Sequence, residues 1–535
     1  FSELKILIKE MSELQCFFNK FKNIKLLERI LVFLILIVVI FNFFYSYAPA
    51  VQIREMMYDL SIPKFYISHF VIDKSSIEYY PFYYFFYFYY QMFYTICVSL
   101  HSEGLSFKLF NYFMGILNLL LLFNFSEKVF NKKVALISSA IYYLFPLTIS
   151  NSGTANVEFG LVFYGLLSSW AILEWNSKNE NRWLYLSAVM SGISFAIKLP
   201  GFSTIIAVGI FIIIVKKFFK KEKLLKIIPN LFIFFVVSFI SFVPWVFRNY
   251  TISGVPTYPF GFFGLNGAPD CKYEVLYNNF KKREYSLKDY VKLNKNFHSG
   301  DIDQSGGPII FTFVFIALIF FNRFCDKGKL IIIFGIINFF SLYFLLPIPL
   351  SRFEFRYYLF VYSIFAIISG FTIDKIEEIS LWHRKIVNFF LIFGLVFPSL
   401  FMSIYFGAKR IPLFLGLEKK EEYIKKKIYH YDIAKFVNTN LGENDVILVV
   451  FFHPGQFYFR NKIVSMSFNL MMGENISKIV QKLKNDKITH LLFYLSGDFA
   501  HYHYCYRTFI NLLEYSEQYF DKIYDKNGFR LYKLK

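Results

Sequence analysis

Along the first 410 residues, apolar runs alternate with short polar breaks. The runs lie near 28–47, 107–126, 134–150, 157–175, 183–198, 201–216, 227–247, 308–322, 330–347, 356–373 and 386–406. Most approach the ~20 residues that carry a helix across ~30 Å of hydrocarbon. After about 425 the pattern changes. "DVILVVFF" and "THLLFYL" look like strands, and "ISKIVQKLKND" has helical periodicity. The pattern predicts an all-α polytopic membrane protein of about eleven spans plus interfacial helices, with a small C-terminal α/β soluble domain. Its divisions are an N-terminal segment 1–27, a membrane domain 28–410 and a soluble domain 425–535. No small-residue cleavage site follows the first run, so it is read as a retained helix. The chain begins at Phe1 rather than Met, so its first residue is not taken as the start of the protein.

Composition narrows the class. The chain is 56% hydrophobic and only 18% charged, whereas a soluble domain carries about 25% charged residues. A β-barrel would show short alternating segments instead. The five cysteines, at 16, 97, 271, 325 and 505, form no CxxC and suggest neither a metal site nor a disulfide framework. A net charge of +20 would suggest nucleic acid in a soluble protein. Here it is assigned to Lys and Arg in short cytoplasmic loops. The basic breaks "EKVFNKK" (127–133), "NSKNENR" (176–182), "KKFFKKEK" (216–223), "NRFCDKGK" (322–329) and "DKIEEISLWHRK" (374–385) all fall on the cytoplasmic side, with the lysine-rich N-terminus, if the aromatic-rich 79–100 does not cross, and all face outward if it does. That segment is therefore read as interfacial or re-entrant, a setting that suits tyrosine, whose ring is apolar and whose hydroxyl is wet. The N-terminus is then cytoplasmic. Residues 48–106, 248–306 and the region from about 407 face outward.

Those outward regions hold the candidate chemistry. The first loop carries Arg54, Glu55, Asp59, Lys64, His69, Asp73 and Glu78; Glu158 opens an otherwise apolar span, and Lys198, Arg248, Arg352 and Arg356 stand at span ends. An ionisable group near membrane depth is costly and is a functional candidate by default, although a basic group at a span end also serves simply by snorkelling to headgroups. Carboxylates suit a general base. Arg and Lys suit a phosphate, which at this interface suggests a lipid phosphate. "HYHYC" (501–505) reads as a surface face rather than a metal site. "NYT" (249–251) and "NIS" (475–477) fit the glycosylation sequon, which is common by chance. There is no Walker loop, no GxGxxG after a strand and no GxSxG.

Five stretches carry a resemblance: "MMYDLSIPKFYISHFVI", "SGTANVEFGLVFYGLLSSWAILEW", "GISFAIKLPGF", "PWVFRNYTISGVPTYPFGFFG" and "FRYYLFVY". Together they resemble membrane glycosyltransferases of the GT-C fold, of glycosyltransferase family 39/83 type. The likeness is to the bacterial branch similar to dolichyl-phosphate-mannose–protein mannosyltransferases and the lipid A aminoarabinose transferase. It runs over roughly residues 28–410, with the fourth stretch the most specific. The resemblance implies a bacterial plasma membrane and a polyprenyl-phosphate-linked sugar donor used on the extracytoplasmic face. It also implies inversion at the anomeric carbon and a first-loop carboxylate as base. Tyr58, Lys64 and Tyr258 are expected to bind substrate. In the bacterial relatives an Asp usually precedes a Tyr-His pair by four residues. Here Arg54 stands at the Asp position and Asp59 at the His position. Either the acid has moved to Glu55 or Asp59, or the usual base is lost.

The leading expectation is a hexosyl- or pentosyltransferase acting on a lipid, glycan or protein acceptor. Asp59 or Glu55 would be the base, and Glu158 a second acidic group. Lys198, Arg248, Arg352 and Arg356 would hold the donor phosphate. No cofactor is required by the sequence; a divalent metal held by Glu158 is the one candidate. The alternatives are a transporter or flippase for a lipid-linked or anionic substrate, which would place polar groups near the bilayer midplane, and a glycan ligase or polymerase. The tail is expected to serve acceptor binding or assembly.

Overall fold

The computed structural model describes residues 25–52, 55–69, 88–100, 104–254, 256, 308–345, 355–450, 456–465, 476–494 and 516–535. Each of the eleven apolar runs is helical over most of its described residues. The helices are Leu26–Tyr47, Leu105–Val129, the pair Lys132–Tyr143 and Pro146–Ser152, Glu158–Lys178, Asn181–Ile197, Phe202–Ile214, Leu224–Ser253, Pro308–Ile319, Asp326–Leu345, Leu359–Glu377 and Leu381–Phe406. Among the described residues, seven helices are long and apolar enough to cross a membrane, or eight if the pair bent by 67° at Pro146 is one span. The gap from eleven has a physical origin. Pro308–Ile319 is short, and Glu158–Lys178 and Asn181–Ile197 carry buried serines where a lone span would carry leucines. Ser168 Oγ lies 2.7 Å from Ser191 Oγ and donates to Ser187 O at 3.0 Å. Small polar side chains of this kind let helices approach closely within a bilayer.

Local chemistry sets the breaks. Asn131 caps Lys132–Tyr143 by accepting the Val134 N–H at 2.9 Å. A glycine is required at 153, where a Cβ would overlap the Tyr45 ring, and this lets residues 153–157 lie against the first helix. The helix Leu359–Glu377 is buried along nearly its whole length and forms the centre of the bundle. The aromatic-rich segment is described only from 88 onward, as the helix Phe88–Leu100. Its 13 residues reach about 20 Å, short of a full crossing.

After the bundle, the helices Lys420–Lys427 and Tyr431–Asn440 lead into a five-stranded sheet: β1 (Val446–Val450), β2 (Lys462–Ser465), β3 (His490–Tyr494), β4 (Phe520–Lys526) and β5 (Phe529–Leu534). The strand order is β2-β1-β3-β5-β4. β1 pairs in parallel with β2 and β3, while β5 runs antiparallel to β3 and β4. This is the small α/β unit that the alternating pattern predicts.

Candidate active site

Five separate pieces of chain bring charged side chains to one end of the bundle. Glu55 and Asp59 lie on a wide helical turn, Glu55–Asp59, which runs into the helix Ser61–His69. Ser61 Oγ donates to Met56 O and fastens that junction. Glu158 begins the helix Glu158–Lys178, where the positive end of the helix dipole favours a carboxylate. Lys198 follows Asn181–Ile197 in extended backbone, just before Pro200 turns the chain. Arg248 lies near the end of Leu224–Ser253, and Arg356 on the short turn Phe355–Tyr358 ahead of the central helix.

Glu158 and Lys198 form the tightest contact: Lys198 Nζ donates to Glu158 Oε1 at 2.6 Å, and both side chains are almost wholly buried. Arg356 Nε lies 3.9 Å from the same oxygen. Tyr357 presents its ring to Lys198 Nζ at 4.6 Å and to the Arg356 guanidinium at 5.1 Å, so both cations have an aromatic face as well as a carboxylate. Arg248 donates to Tyr66 OH at 2.9 Å, on the helix that continues from Asp59.

The two first-loop acids differ sharply. Glu55 Oε1 accepts the Ala155 N–H at 2.7 Å and Oε2 accepts the Gln52 N–H at 3.3 Å. Burial raises its pKa, while Lys108 and these N–H groups pull it back down. Lys108 is itself bound to the carbonyls of Tyr45 (3.1 Å) and Ala48 (2.8 Å). Glu55 therefore ties the first loop to residues 153–157. Asp59 is only 2% exposed, and its Oδ1 has no hydrogen-bond partner among the described residues. Its pKa lies well above the usual carboxylate range. Burial is the main cause and the negative Glu158 the next, only partly offset by Lys198 and Arg356. An oxygen so placed is unspent: it can accept a proton from an incoming group.

Of the residues singled out in the sequence, the structure thus brings together Asp59, Glu158, Lys198 and Arg356, with Arg248 one helix away. Lys64 points elsewhere, to the carbonyls of Phe457 (2.6 Å) and Phe459 (3.0 Å). Arg54, Tyr258, Arg352, residues 79–87, the 501–505 stretch and Asn475 lie outside the described residues, as does the Tyr58 side chain. Asn249 is fully buried beside Arg248, which is no place for a glycan. Sequence reading missed Tyr66, Tyr357 and Lys108. Of these only Lys108, a single cation in "LSFKLFNYF", carried a signal.

A divalent metal would need converging donors. Glu158 Oε1 is already taken by Lys198, and no group of three His, Cys, Asp or Glu side chains converges among the described residues. Among the described residues the donor set does not form a metal cradle.

Residues 85–247 match the family described as dolichyl-phosphate-mannose-protein mannosyltransferase. No curated protein matches the chain significantly. Solved structures do. ArnT from Cupriavidus metallidurans in the apo state aligns over 94% of this chain and 97% of its own, at 13% identity and a TM-score of 0.59. The same enzyme bound to undecaprenyl phosphate gives 12% identity and a TM-score of 0.57 over the same coverage. The archaeal oligosaccharyltransferase AglB from Archaeoglobus fulgidus, in complex with an inhibitory peptide and a dolichol-phosphate, covers 94% of this chain and 74% of its own, at 13% identity and a TM-score of 0.55. An oligosaccharyltransferase from Archaeoglobus fulgidus, in complex with Zn and sulfate, covers 94% of this chain and 73% of its own, at 12% identity and a TM-score of 0.55. The chain is a multi-pass membrane protein of the GT-C fold, the architecture its five sequence stretches resemble.

Proposed function

We propose that the protein is a glycosyltransferase that moves a sugar from a polyprenyl-phosphate donor to a hydroxyl or amine acceptor on the extracytoplasmic face, with inversion. The observation that carries this reading is Asp59 Oδ1, buried and unpartnered beside the Glu158–Lys198–Arg356 group. Asp59 takes the acceptor proton as the acceptor attacks the anomeric carbon. The bond from that carbon to the phosphate oxygen breaks, and the lipid phosphate leaves. Lys198, Arg356 and Arg248, with Arg352 from the same polar run, stabilise the charge on the departing phosphate. Glu158 holds Lys198 in place. Glu55 is a fixture of the loop rather than the base, since both its oxygens are engaged. Tyr58 and Tyr258 are assigned to substrate.

The orientation has physical support. Lys133 reaches Asp374 and Glu377, Lys220 reaches Asn176 O, and Phe324 packs on Phe371. Lys128 also acts electrostatically on Glu174, just ahead of the 176–182 break, and these contacts together bring the five basic breaks to the end of the bundle away from Asp59. The positive-inside rule puts that end in the cytoplasm, so the site opens outward. Residues 28–410 then form the catalytic unit and 425–535 an extracytoplasmic domain, and the resemblance carried by the sequence favours a bacterial plasma membrane.

The test is donor turnover. The detergent-purified protein is offered a panel of polyprenyl-phosphate sugars with mixed envelope lipids and glycans as acceptors, with and without EDTA. Release of polyprenyl phosphate from one donor, unaffected by EDTA and lost in Asp59→Asn, is expected. Release that persists in Asp59→Asn would remove the assigned base, and no release from any donor would overturn the transferase reading.

A further inference from the structure

Among the described residues, the C-terminal region is hydrogen-bonded to the first loop through a small element, the turn Gln456–Tyr458 with Phe459 after it. Its backbone carbonyls are taken in succession by side chains from two sides. Lys64 Nζ donates to Phe457 O at 2.6 Å and to Phe459 O at 3.0 Å. Asn438, on the helix that packs against the sheet, donates to Tyr458 O at 2.8 Å. Asn438 Oδ1 also accepts the Arg460 N–H at 2.8 Å, so the amide brackets the turn. Tyr458 OH donates to Ala50 O at 2.7 Å. Phe457 is buried in one cluster with Met56 and Leu60, and its ring lies 5.5 Å from Lys64 Nζ.

Asp59 lies in sequence between the two anchor points, Ala50 and Lys64. It is held from both sides by a turn that belongs to another part of the protein. We propose that this turn is a positioning element for the reaction assigned above: the sheet domain, through Asn438 and the turn, fixes the Glu55–Asp59 segment so that Asp59 Oδ1 faces the acceptor. Lys64 is a positioning residue and not a phosphate ligand. A lysine whose ammonium already bridges two carbonyls has little left to offer an anion, and burial lowers its pKa to about 8, with Arg460 adding to the shift. The proposal rests on the transferase reading. It gives the tail a part in the transfer step itself, where the sequence suggested only acceptor binding or assembly. A base held by hydrogen bonds from a second domain loses rate when released, because small misplacements at the reacting atoms are costly.

The experiment compares Lys64→Met, Lys64→Arg, Tyr458→Phe and Asn438→Ala with the unchanged protein. Donor turnover gives kcat and KM, and amide hydrogen exchange is followed over residues 55–69. Lys64→Met is expected to lower kcat about 10-fold with the donor KM within about twofold. Lys64→Arg, which can still span two carbonyls, should recover most of the rate. Tyr458→Phe and Asn438→Ala should each lose about threefold. Exchange over 55–69 should accelerate in Lys64→Met and Asn438→Ala. A raised donor KM with unchanged kcat in Lys64→Met would make Lys64 a substrate ligand and overturn the proposal, as would unchanged exchange. If the unchanged protein releases no polyprenyl phosphate, the transferase reading fails, while the exchange arm still decides whether the turn orders the first loop.

Discussion

Two charged clusters stand at opposite ends of the same central helix, and they are built differently. At one end Lys133 Nζ lies 2.8 Å from Asp374 and 2.9 Å from Glu377, with Asn131 donating to the second Asp374 oxygen at 3.3 Å. Each acid there touches a base, and the elements it joins are the ends of neighbouring helices. At the other end Glu158 touches Lys198 and comes near Arg356, but Asp59, equally buried, makes no ion pair among the described residues and its Oδ1 has no hydrogen-bond partner there. Glu377 also leaves one oxygen, Oε1, without a partner among the described residues, but its other oxygen is met by Lys133 at 2.9 Å. A buried carboxylate with no ion pair bears its desolvation cost unrelieved, roughly 1–3 kcal/mol or more. The difference teaches where to look for chemistry in this fold: at the acid that the structure has not neutralised.

The sharpest way to break that comparison is to neutralise an acid at each end. Asp59→Asn should lower turnover at least ~10²-fold while leaving thermal stability equal or higher, since it removes a charge whose burial is unfavourable. Asp374→Asn should do the reverse, lowering the melting temperature with little change in turnover per folded molecule. Glu158→Gln falls between them. It should also cost at least ~10²-fold in turnover, but with lost stability, because breaking a buried pair leaves Lys198 uncompensated. Parallel melting curves and donor-release assays distinguish the three. Equal losses of activity for Asp59→Asn and Asp374→Asn would erase the distinction between the clusters.

A pH series sharpens it further. The Asp59 pKa is raised by burial and by Glu158, and a base works only when ionised. Turnover should therefore rise with pH through a point well above the ~4 of an ordinary carboxylate. The sign for stability is opposite. A group with a raised folded-state pKa contributes fully below its unfolded pKa, and that contribution is lost as pH rises through the folded one. Stability measured upward from pH 4 should thus decline in the unchanged protein relative to Asp59→Asn. Measured kcat/KM that is flat across this window would mean that Asp59 is not the proton acceptor.

Much of this was legible in the sequence, for reasons that can be named. Apolar runs and loop charge carry the helices and the grouping of basic breaks, because the bilayer imposes both. Glu158 and Lys198 were visible as ionisable groups where an apolar span begins or ends. Their 2.6 Å contact was not: it depends on two helices returning to one level, which no local pattern records. Glu55 and Asp59 could not be separated in sequence, lying four positions apart in one polar loop. They separate only when the Ala155 N–H is seen to occupy Glu55. Tyr66 and Tyr357 were lost among 40 tyrosines, most of which are explained by composition. The link from Lys64 to Phe457 and Phe459 spans almost 400 residues, and nothing in either segment announces it.

The smallest expected effect concerns Glu55 and tests whether the first-loop acids are truly unlike. Its carboxylate accepts two backbone N–H groups and lies near Lys108. In Glu55→Gln the amide oxygen can keep the stronger of the two, from Ala155, while its NH2 end faces the Gln52 N–H with no acceptor to offer. One hydrogen bond is lost and the charge beside Lys108 disappears, but no group assigned to the reaction changes. Turnover should fall only about two- to fivefold, with a loss of roughly 1–2 kcal/mol in stability. Its acid limb should be displaced slightly downward, since removing the Glu55 charge takes away one of the influences that raise Asp59. The same assays that show a ~10²-fold loss in Asp59→Asn would detect this. A Glu55→Gln loss as large as that of Asp59→Asn would make Glu55 the base and return Asp59 to the loop's architecture.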